Sequence, residues 1–136
     1  MKALVTGANG FTGSHLVKRL EQLGYEVVGL VRSTSNLSRL DKTQVKLVYG
    51  DVTDRAALTA AMRGVDRVFH IAAYVDLGLV NATEMERVNV QGTQAVLDVA
   101  QALRSETGQP TKLLYCSTIG IYGDTQGVAI DETFVR

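Results

Sequence analysis

The apolar residues of this chain follow two alternating patterns: short unbroken runs, and longer stretches in which they recur every three or four positions. The short runs are rich in β-branched and aromatic residues, which is typical of buried strands. They comprise residues 3–5, 27–31, 45–49, 68–71 and 113–116. The pattern therefore predicts five buried strands with helical stretches between them.

The first stretch with helical spacing follows the first strand. Leu16, Val17, Leu20 and Leu23 would share one face of a helix. Gly24 comes next, where a helix end favours a residue that tolerates positive φ. The sequence thus predicts an amphipathic helix that ends near Gly24.

Two further helices are predicted. The shorter one covers residues 54–63, with Asp54 near the positive end of the helix dipole. The longer one covers residues 83–104, and Asn81 and Glu84 before and within it have the spacing of a capping box.

Strands and helices alternate along the whole chain. Such alternation predicts parallel strands, right-handed crossovers and helices on both faces of the sheet. The expected fold is therefore α/β: a doubly wound parallel sheet, or Rossmann fold, of about five strands in the order 3-2-1-4-5.

Composition limits the classes of function. The chain has 136 residues, enough for one domain over residues 1–136, and 46% of them are hydrophobic. Fourteen basic residues balance fourteen acidic ones. The charge therefore gives no reason to expect nucleic acid or a membrane surface as a partner.

Neither a membrane span nor a metal cluster is predicted. No segment approaches the length of apolar sequence that crosses a bilayer, and the N-terminus lacks the apolar core of a signal peptide, so we expect a cytoplasmic protein. Cys116 is the sole cysteine, which excludes a disulfide framework and a Cys/His metal site.

Three glycines stand at intervals of three between the first strand and the first helix: Gly7, Gly10 and Gly13. In a doubly wound sheet this turn binds the pyrophosphate of a dinucleotide, because glycines permit the tight turn and the close approach of backbone to phosphate. The phosphates then meet the free N–H groups at the helix start. A purely conformational turn is the alternative interpretation.

The position of the glycines favours the phosphate site, because they follow a strand and open an amphipathic helix. The residues expected to contact the cofactor here are Thr6, Gly7, Asn9, Gly10, Phe11, Thr12 and Gly13.

The spacing TGxxGxxG near the N-terminus resembles the extended branch of the short-chain dehydrogenase/reductase superfamily, which contains NAD(P)-dependent epimerases, dehydratases and dihydroflavonol-reductase-like enzymes. Four further stretches resemble that family in the same order. They read GDVTD (50–54), HIAA (70–73), VNVQGT (88–93) and YCSTIGIYG (115–123).

The resemblance implies a role for each stretch. Asp51 and Val52 would contact the adenine, and Asn89 would have a structural role in the long helix. The segment after the fourth strand would lie along the cofactor, whereas His70 is predicted to be a core residue. The remaining residues implied to contact the cofactor are Ile71, Ala72, Ala73 and Cys116.

The end of the second strand bears on which nicotinamide cofactor is bound. NAD-binding members carry an acid there for the ribose hydroxyls, but this chain has Val31. Arg32, with the hydroxyls of Ser33 and Thr34, would instead suit a 2′-phosphate. We therefore predict NADP, with NAD as the alternative; a solvated arginine is the other interpretation of Arg32.

The resemblance also implies hydride transfer to or from a carbon of a small-molecule substrate that bears a hydroxyl or carbonyl group. Thr118, or less favourably Ser117, would be the catalytic hydroxyl that orients the substrate oxygen; capping of the loop after the fifth strand is the alternative. The family's acid/base tyrosine, four residues before a lysine, has no counterpart in these 136 residues.

We therefore expect the N-terminal, cofactor-binding portion of an enzyme, truncated before the Tyr–Lys helix and inactive as it stands. A non-catalytic nucleotide-binding or redox-sensing module is the alternative. Without the neighbours of the fifth strand and the long helix, apolar surface and a strand edge would be exposed, which predicts a homo-oligomer.

Overall fold

A computed structural model describes residues 1–75 and 81–134 of the chain. Within these ranges a parallel sheet has the order β3-β2-β1-β4-β5. Its strands are β1 (Lys2–Thr6), β2 (Glu26–Val31), β3 (Lys46–Tyr49), β4 (Arg67–His70) and β5 (Lys112–Tyr115). The predicted strands and their order are confirmed.

The helices of the described ranges occupy the crossovers between the strands. They are α1 (Phe11–Gln22), α2 (Arg55–Met62), α3 (Ala82–Met85), a π-helical segment (Glu86–Gln91) and α4 (Gly92–Thr107). Short 3₁₀ turns cover Ser38–Leu40 and Ile119–Tyr122.

The predicted long helix is present, but it is divided into α3, the π-helical segment and α4. At its start the Asn81 side chain accepts a hydrogen bond from the N–H of Glu84 at 3.0 Å. The Glu84 carboxylate pairs with Arg87 instead of completing the predicted capping box, because a guanidinium offers it two charge-assisted bonds.

The core lies in two layers, one on each face of the sheet. Val5 of β1 packs with Val17 of α1 and Leu40 on one face. Leu4 belongs to the other face, in the cluster that includes Leu58 of α2. Successive residues of β1 thus face opposite layers, as the period of a strand requires, and helices on both faces confirm the doubly wound fold.

Two expectations about burial are wrong. Leu23 lies at the end of α1 with 57% of its surface exposed, beyond the reach of the core. The outer strands are not buried: Tyr49 of β3 and Leu114 and Tyr115 of β5 are about half exposed, because an outer strand has a neighbour on one side only.

No helix in the described part of the chain combines the length and the apolar character needed to cross a bilayer. The cytoplasmic location stays a prediction.

Candidate functional site

The turn after β1 depends on two glycines at which a side chain would collide with backbone. Gly7 has a φ of +67°, and a Cβ atom there would lie 2.9 Å from the Cα atom of Ala72. A Cβ atom on Gly13 would lie 2.1 Å from the carbonyl oxygen of Gly7. The glycines therefore let β1, α1 and the segment after β4 approach one another at backbone distance.

Gly10 stands at the N-terminus of α1, and no side chain of the described residues caps this helix start. The first N–H groups of a helix have no intrahelical partner and carry the positive end of its dipole. A Cβ atom on Gly10 would meet only the carbonyl oxygen of Gly7, at 3.2 Å, among the described atoms. The helix start is thus open on its outer side and suited to an anion.

A cavity of about 350 Å³ opens in front of this helix start, at the carboxyl ends of β1, β2 and β4. In an open α/β sheet, the crevice where the strand order reverses is the usual binding site. Its wall contains the predicted residues Gly7, Asn9, Gly10, Phe11, Thr12, Gly13, Arg32, Asp51, Val52, Ile71, Ala72 and Ala73.

The other predicted site residues lie elsewhere. Thr6 is completely buried behind the glycine turn. Ser33 lines a neighbouring depression rather than the cavity itself. Cys116, Ser117 and Thr118 follow β5, are exposed, and do not belong to the cavity wall.

Thr6 supports the cavity wall from within the core. Its hydroxyl oxygen accepts hydrogen bonds from the N–H groups of Ile71 and Ala72, both at 3.1 Å. It also lies 2.7 Å from Nδ1 of His70, its neighbour on β4. Because a hydroxyl accepts two bonds and donates one, the Thr6 proton goes to Nδ1, and the network places the histidine proton on Nε2.

The hydrogen-bond chain continues from His70 into the long helix. Nε2 of His70 donates to the hydroxyl of Thr93 at 3.0 Å, and that hydroxyl donates to the carbonyl oxygen of Asn89 at 2.7 Å. His70 is 1% exposed, and burial lowers its pKa, so the ring is neutral near pH 7. The prediction that His70 is a core residue is confirmed.

Asn89 ties the π-helical segment to the cavity wall. Its Oδ1 atom accepts the N–H of Tyr74 at 2.7 Å, and its Nδ2 atom donates to the carbonyl oxygen of Tyr74 at 3.0 Å. This two-way bond is the structural role that the resemblance implies for Asn89.

An ion-pair cluster stands at the far end of the cavity. Asp51 contacts Arg87 of the π-helical segment, with Oδ1 3.0 Å from one guanidinium nitrogen, and Arg87 also pairs with Glu84 at 2.8 Å. Partial burial raises the pKa of Asp51, but its bonds to Arg87 and Thr53 outweigh burial and lower that pKa overall. Asp51 is therefore an anion whose orientation is fixed by its neighbours.

The residues that follow β2 include a cation, Arg32, and the hydroxyl groups of Ser33 and Thr34. The Val31 side chain is buried, whereas Arg32 is exposed beside the cavity, and its backbone N–H donates to Oγ of Ser35 at 3.1 Å. Arg32 also lines the neighbouring depression together with Ser33 and Thr34.

Thr118 has a capping role. Its hydroxyl accepts the N–H of Gly120 at 3.1 Å, at the start of the 3₁₀ turn Ile119–Tyr122. This is the alternative interpretation of the hydroxyl, and it leaves the proton of the hydroxyl available for donation. The catalytic role of Thr118 or Ser117 stays a prediction.

Sequence reasoning did not assign several residues of the cavity wall. Tyr74 directly follows the HIAA stretch, and Val88 is the first residue of the VNVQGT stretch. Their positions beside or within these motifs are the sequence signal that could have assigned both residues to the cavity wall. The unassigned residues are Leu30, Val31, Ser35, Gly50, Tyr74 and Val88.

A doubly wound sheet with a glycine turn at its switch point defines the class of Rossmann-fold nucleotide-binding domains. Within this class, the chain belongs to the NAD dependent epimerase/dehydratase family, whose model matches residues 3–135. This confirms the resemblance to the extended short-chain dehydrogenases and supports a nicotinamide dinucleotide as the cofactor.

Individual relatives agree with the family. The chain is 38% identical over 101 residues to sterol demethylase protein B of Methylococcus capsulatus, covering 74% of this chain and 31% of that protein. It is 33% identical over 144 residues to human dTDP-D-glucose 4,6-dehydratase, covering 97% and 40% respectively.

A solved structure shows the same fold. UDP-glucose-4-epimerase from Stenotrophomonas maltophila, crystallised with NAD and formylated UDP-arabinopyranose, matches with a TM-score of 0.83 and 28% identity, over 98% of this chain and 41% of that one. The chain thus spans 31% and 40% of the length of these two curated relatives and 41% of the structural one.

Proposed function

We propose that this chain is the NADP(H)-binding part of an oxidoreductase or epimerase that acts by hydride transfer on a carbon bearing a hydroxyl or carbonyl group. The observation that carries the proposal is the cavity at the switch point, which the glycine turn and the uncapped start of α1 face together. The family supports the same conclusion.

The residues fit a dinucleotide in three places. The backbone of residues 7–13 would hold the pyrophosphate, since Gly10 leaves space where a Cβ atom would stand. Asp51 and Val52 would flank the adenine, and residues 71–73 would lie along the remainder of the cofactor. When bound, the cofactor would supply or accept the hydride.

The chain's own hydroxyl would orient the substrate. Thr118, or Ser117 beside it, would donate a hydrogen bond to the substrate oxygen. The sequence contains no tyrosine four residues before a lysine. We therefore propose that these 136 residues bind the cofactor without turnover, as the cofactor-binding portion of an enzyme.

A non-catalytic sensing module is the second candidate. The absence of a Tyr–Lys pair from these 136 residues is as consistent with such a module as with the cofactor-binding portion of an enzyme. The stretch CSTIGIYG favours the enzyme, because a sensor has no need of a substrate-orienting hydroxyl. The coding frame after codon 136 discriminates between them: a tyrosine and a lysine four codons apart would support the enzyme, and a stop codon there would support the module.

Arg32 is proposed to select NADP over NAD. A guanidinium bond to a phosphate contributes about 1.5–3 kcal/mol, which is at least about tenfold in affinity. We expect Arg32→Gln to weaken NADPH binding at least about tenfold and to leave NADH binding unchanged, as measured by calorimetric titration.

Arg63→Gln is the matched control for this substitution. It removes the same charge at the end of α2, where Arg63 pairs with Glu106 away from the cavity, and it should change neither affinity. An equal loss of NADPH and NADH binding in the Arg32 variant would contradict selection of the 2′-phosphate.

Self-association through β5 is also proposed. Leu114 and Tyr115 on this outer strand are 51% exposed, and Ile119 just beyond it is 85% exposed. An open strand edge with apolar side chains favours pairing with another copy. Sedimentation at micromolar concentration should show a dimer or larger species, and a monodisperse monomer would refute this.

Leu114→Lys should shift the equilibrium toward the monomer, since a lysine on an edge strand opposes pairing. Leu23→Lys is the control, because Leu23 is exposed to a similar extent but lies at the end of α1. It should leave the sedimentation profile unchanged.

A further inference from the structure

Arg87 uses every N–H donor of its guanidinium within the cluster at the far end of the cavity. Its Nε and one terminal nitrogen donate to the two carboxylate oxygens of Glu84, at 2.9 and 2.8 Å. The terminal nitrogens also donate to Oδ1 and Oδ2 of Asp51, at 3.0 and 3.3 Å, and to the hydroxyl of Thr53 at 2.9 Å. The two double contacts fix the plane of the guanidinium.

The two carboxylate oxygens of Asp51 accept different numbers of hydrogen bonds in this cluster. Oδ1 accepts three hydrogen bonds, from the N–H and hydroxyl of Thr53 and from Arg87. Oδ2 has the single long contact of 3.3 Å with Arg87. A carboxylate oxygen can accept about two bonds, so Oδ1 is saturated and Oδ2 retains capacity for one donor.

Asp51 lies in the cavity wall with its side chain 27% exposed. The donor that suits Oδ2 is an N–H group of a ligand. Among purine bases, adenine has an exocyclic amino group that donates, whereas hypoxanthine has an oxygen in its place, which would repel the carboxylate. A fixed Oδ2 therefore distinguishes an amino base from a keto base.

We propose that Arg87 is a positioning residue that sets this base selectivity: it holds Asp51 so that Oδ2 accepts the adenine amino group of the cofactor. The inference rests on the proposed binding of a dinucleotide. Its new content is that selectivity depends on a guanidinium from the π-helical segment.

Removal of Arg87 would do more than delete two bonds. Asp51 and Glu84 share this cation, and without it two carboxylates would face each other with no charge between them. One of them would turn away, and Oδ2 of Asp51 would lose its fixed direction. Lysine would restore the charge but not the paired contacts, because it provides a point charge instead of a planar fork.

Arg55 and Arg63 link helices and are not part of the cavity wall. Arg55 of α2 pairs with Asp98 of α4, and neither residue belongs to the cavity wall. Arg55→Gln is therefore a matched control: it removes one cation and one ion pair to the same long helix.

The test compares two cofactors, NADPH and reduced nicotinamide hypoxanthine dinucleotide phosphate, by calorimetric titration of the 136-residue chain. We expect the wild type to bind NADPH about tenfold more tightly, the effect of one hydrogen bond to a charged group. In Arg87→Lys and Arg87→Gln this ratio should fall to about one, because NADPH loses its hydrogen bond and the hypoxanthine oxygen no longer meets a fixed carboxylate oxygen.

The control variant Arg55→Gln should keep the wild-type ratio of the two cofactor affinities, even if its melting temperature falls. An unchanged ratio in both Arg87 variants would overturn the inference while leaving the proposed function intact. A wild type that binds the two cofactors equally would also overturn it, and a wild type that binds neither would overturn the proposed function as well.

Circular dichroism checks that the Arg87 variants are folded. If neither folds, Thr53→Val takes their place, since it removes the hydroxyl that bridges Arg87 and Oδ1 of Asp51. In this variant the ratio of the two cofactor affinities should lie between the wild-type value of about ten and the value of about one that an unselective site would give. An unchanged ratio would count against the inference.

Discussion

Alanine at position 13 is expected to lower the free energy of unfolding by about 3 kcal/mol, the upper end of the cost of overpacking. The added Cβ atom would lie 2.1 Å from the carbonyl oxygen of Gly7 and 2.8 Å from its carbonyl carbon. Both atoms are backbone, so no side-chain rotation can relieve the collision. Either α1 or the turn after β1 must move, and urea denaturation followed by circular dichroism measures the cost.

Gly10→Ala separates this steric effect from the effect on binding. Its Cβ atom would approach only the carbonyl oxygen of Gly7, at 3.2 Å, and Gly10 has an ordinary φ of −70°. The free energy of unfolding should therefore change little, whereas NADPH affinity should fall at least about tenfold, because the methyl group occupies the approach to the helix start. Wild-type stability in Gly13→Ala would refute the close approach of α1 to the glycine turn.

His70→Leu is expected to destabilise the fold by about 3 kcal/mol, because it leaves the buried hydroxyl of Thr6 without its acceptor and the partly buried hydroxyl of Thr93 without its donor. The segment that Thr6 holds, residues 71–73, also forms part of the cavity wall. Denaturant unfolding measures the loss, and Val17→Ala, in the apolar core of the opposite face, provides a comparison without polar groups.

The same histidine predicts a pH dependence. Burial lowers the pKa of His70 in the folded state, so below its usual value of 6.5 the unfolded chain binds more protons than the folded one. Stability should therefore fall as the pH is lowered from about 7 to 5.5, with a slope of at most about 1.4 kcal/mol per pH unit.

His70→Asn should flatten this part of the pH profile, because asparagine can offer an oxygen to the Thr6 hydroxyl and does not titrate. The carboxyl groups with lowered pKa, such as Asp51, titrate at lower pH and do not obscure the window. Parallel profiles for the wild type and the asparagine variant would contradict the assignment of the slope to His70.

Much of the fold is encoded locally. The change between unbroken apolar runs and helical spacing predicts β1 to β5 and their parallel arrangement, because the runs are short and β-branched and the stretches between them are long enough to show the helical period. The glycine turn is similarly local: Gly7, Gly10 and Gly13 act within one connection. These features could be predicted because they depend on residues close in sequence.

The remaining features depend on residues distant in sequence. Thr6 belongs to the motif that is predicted to contact the cofactor, but its pairing with His70, 64 positions away, buries its hydroxyl. Likewise, no periodicity indicates that Arg87 reaches Asp51 across 36 positions. The exposure of β3 and β5 also depends on their place in the sheet rather than on their residues.

The π-helical segment Glu86–Gln91 has a consequence for insertions and deletions. A π turn contains about one residue more than an α turn, and each residue of a helix accounts for about 100° of rotation. Deletion of one residue here would restore a regular helix with about the same total rotation, so Glu84 would keep its orientation relative to α4, whereas deletion of one residue within α4 would rotate the two parts of that helix by about 100°. The π-helical segment can therefore take up a change of one residue that a regular helix cannot, so a gap of one residue in a homologue is expected within Glu86–Gln91 rather than within α4.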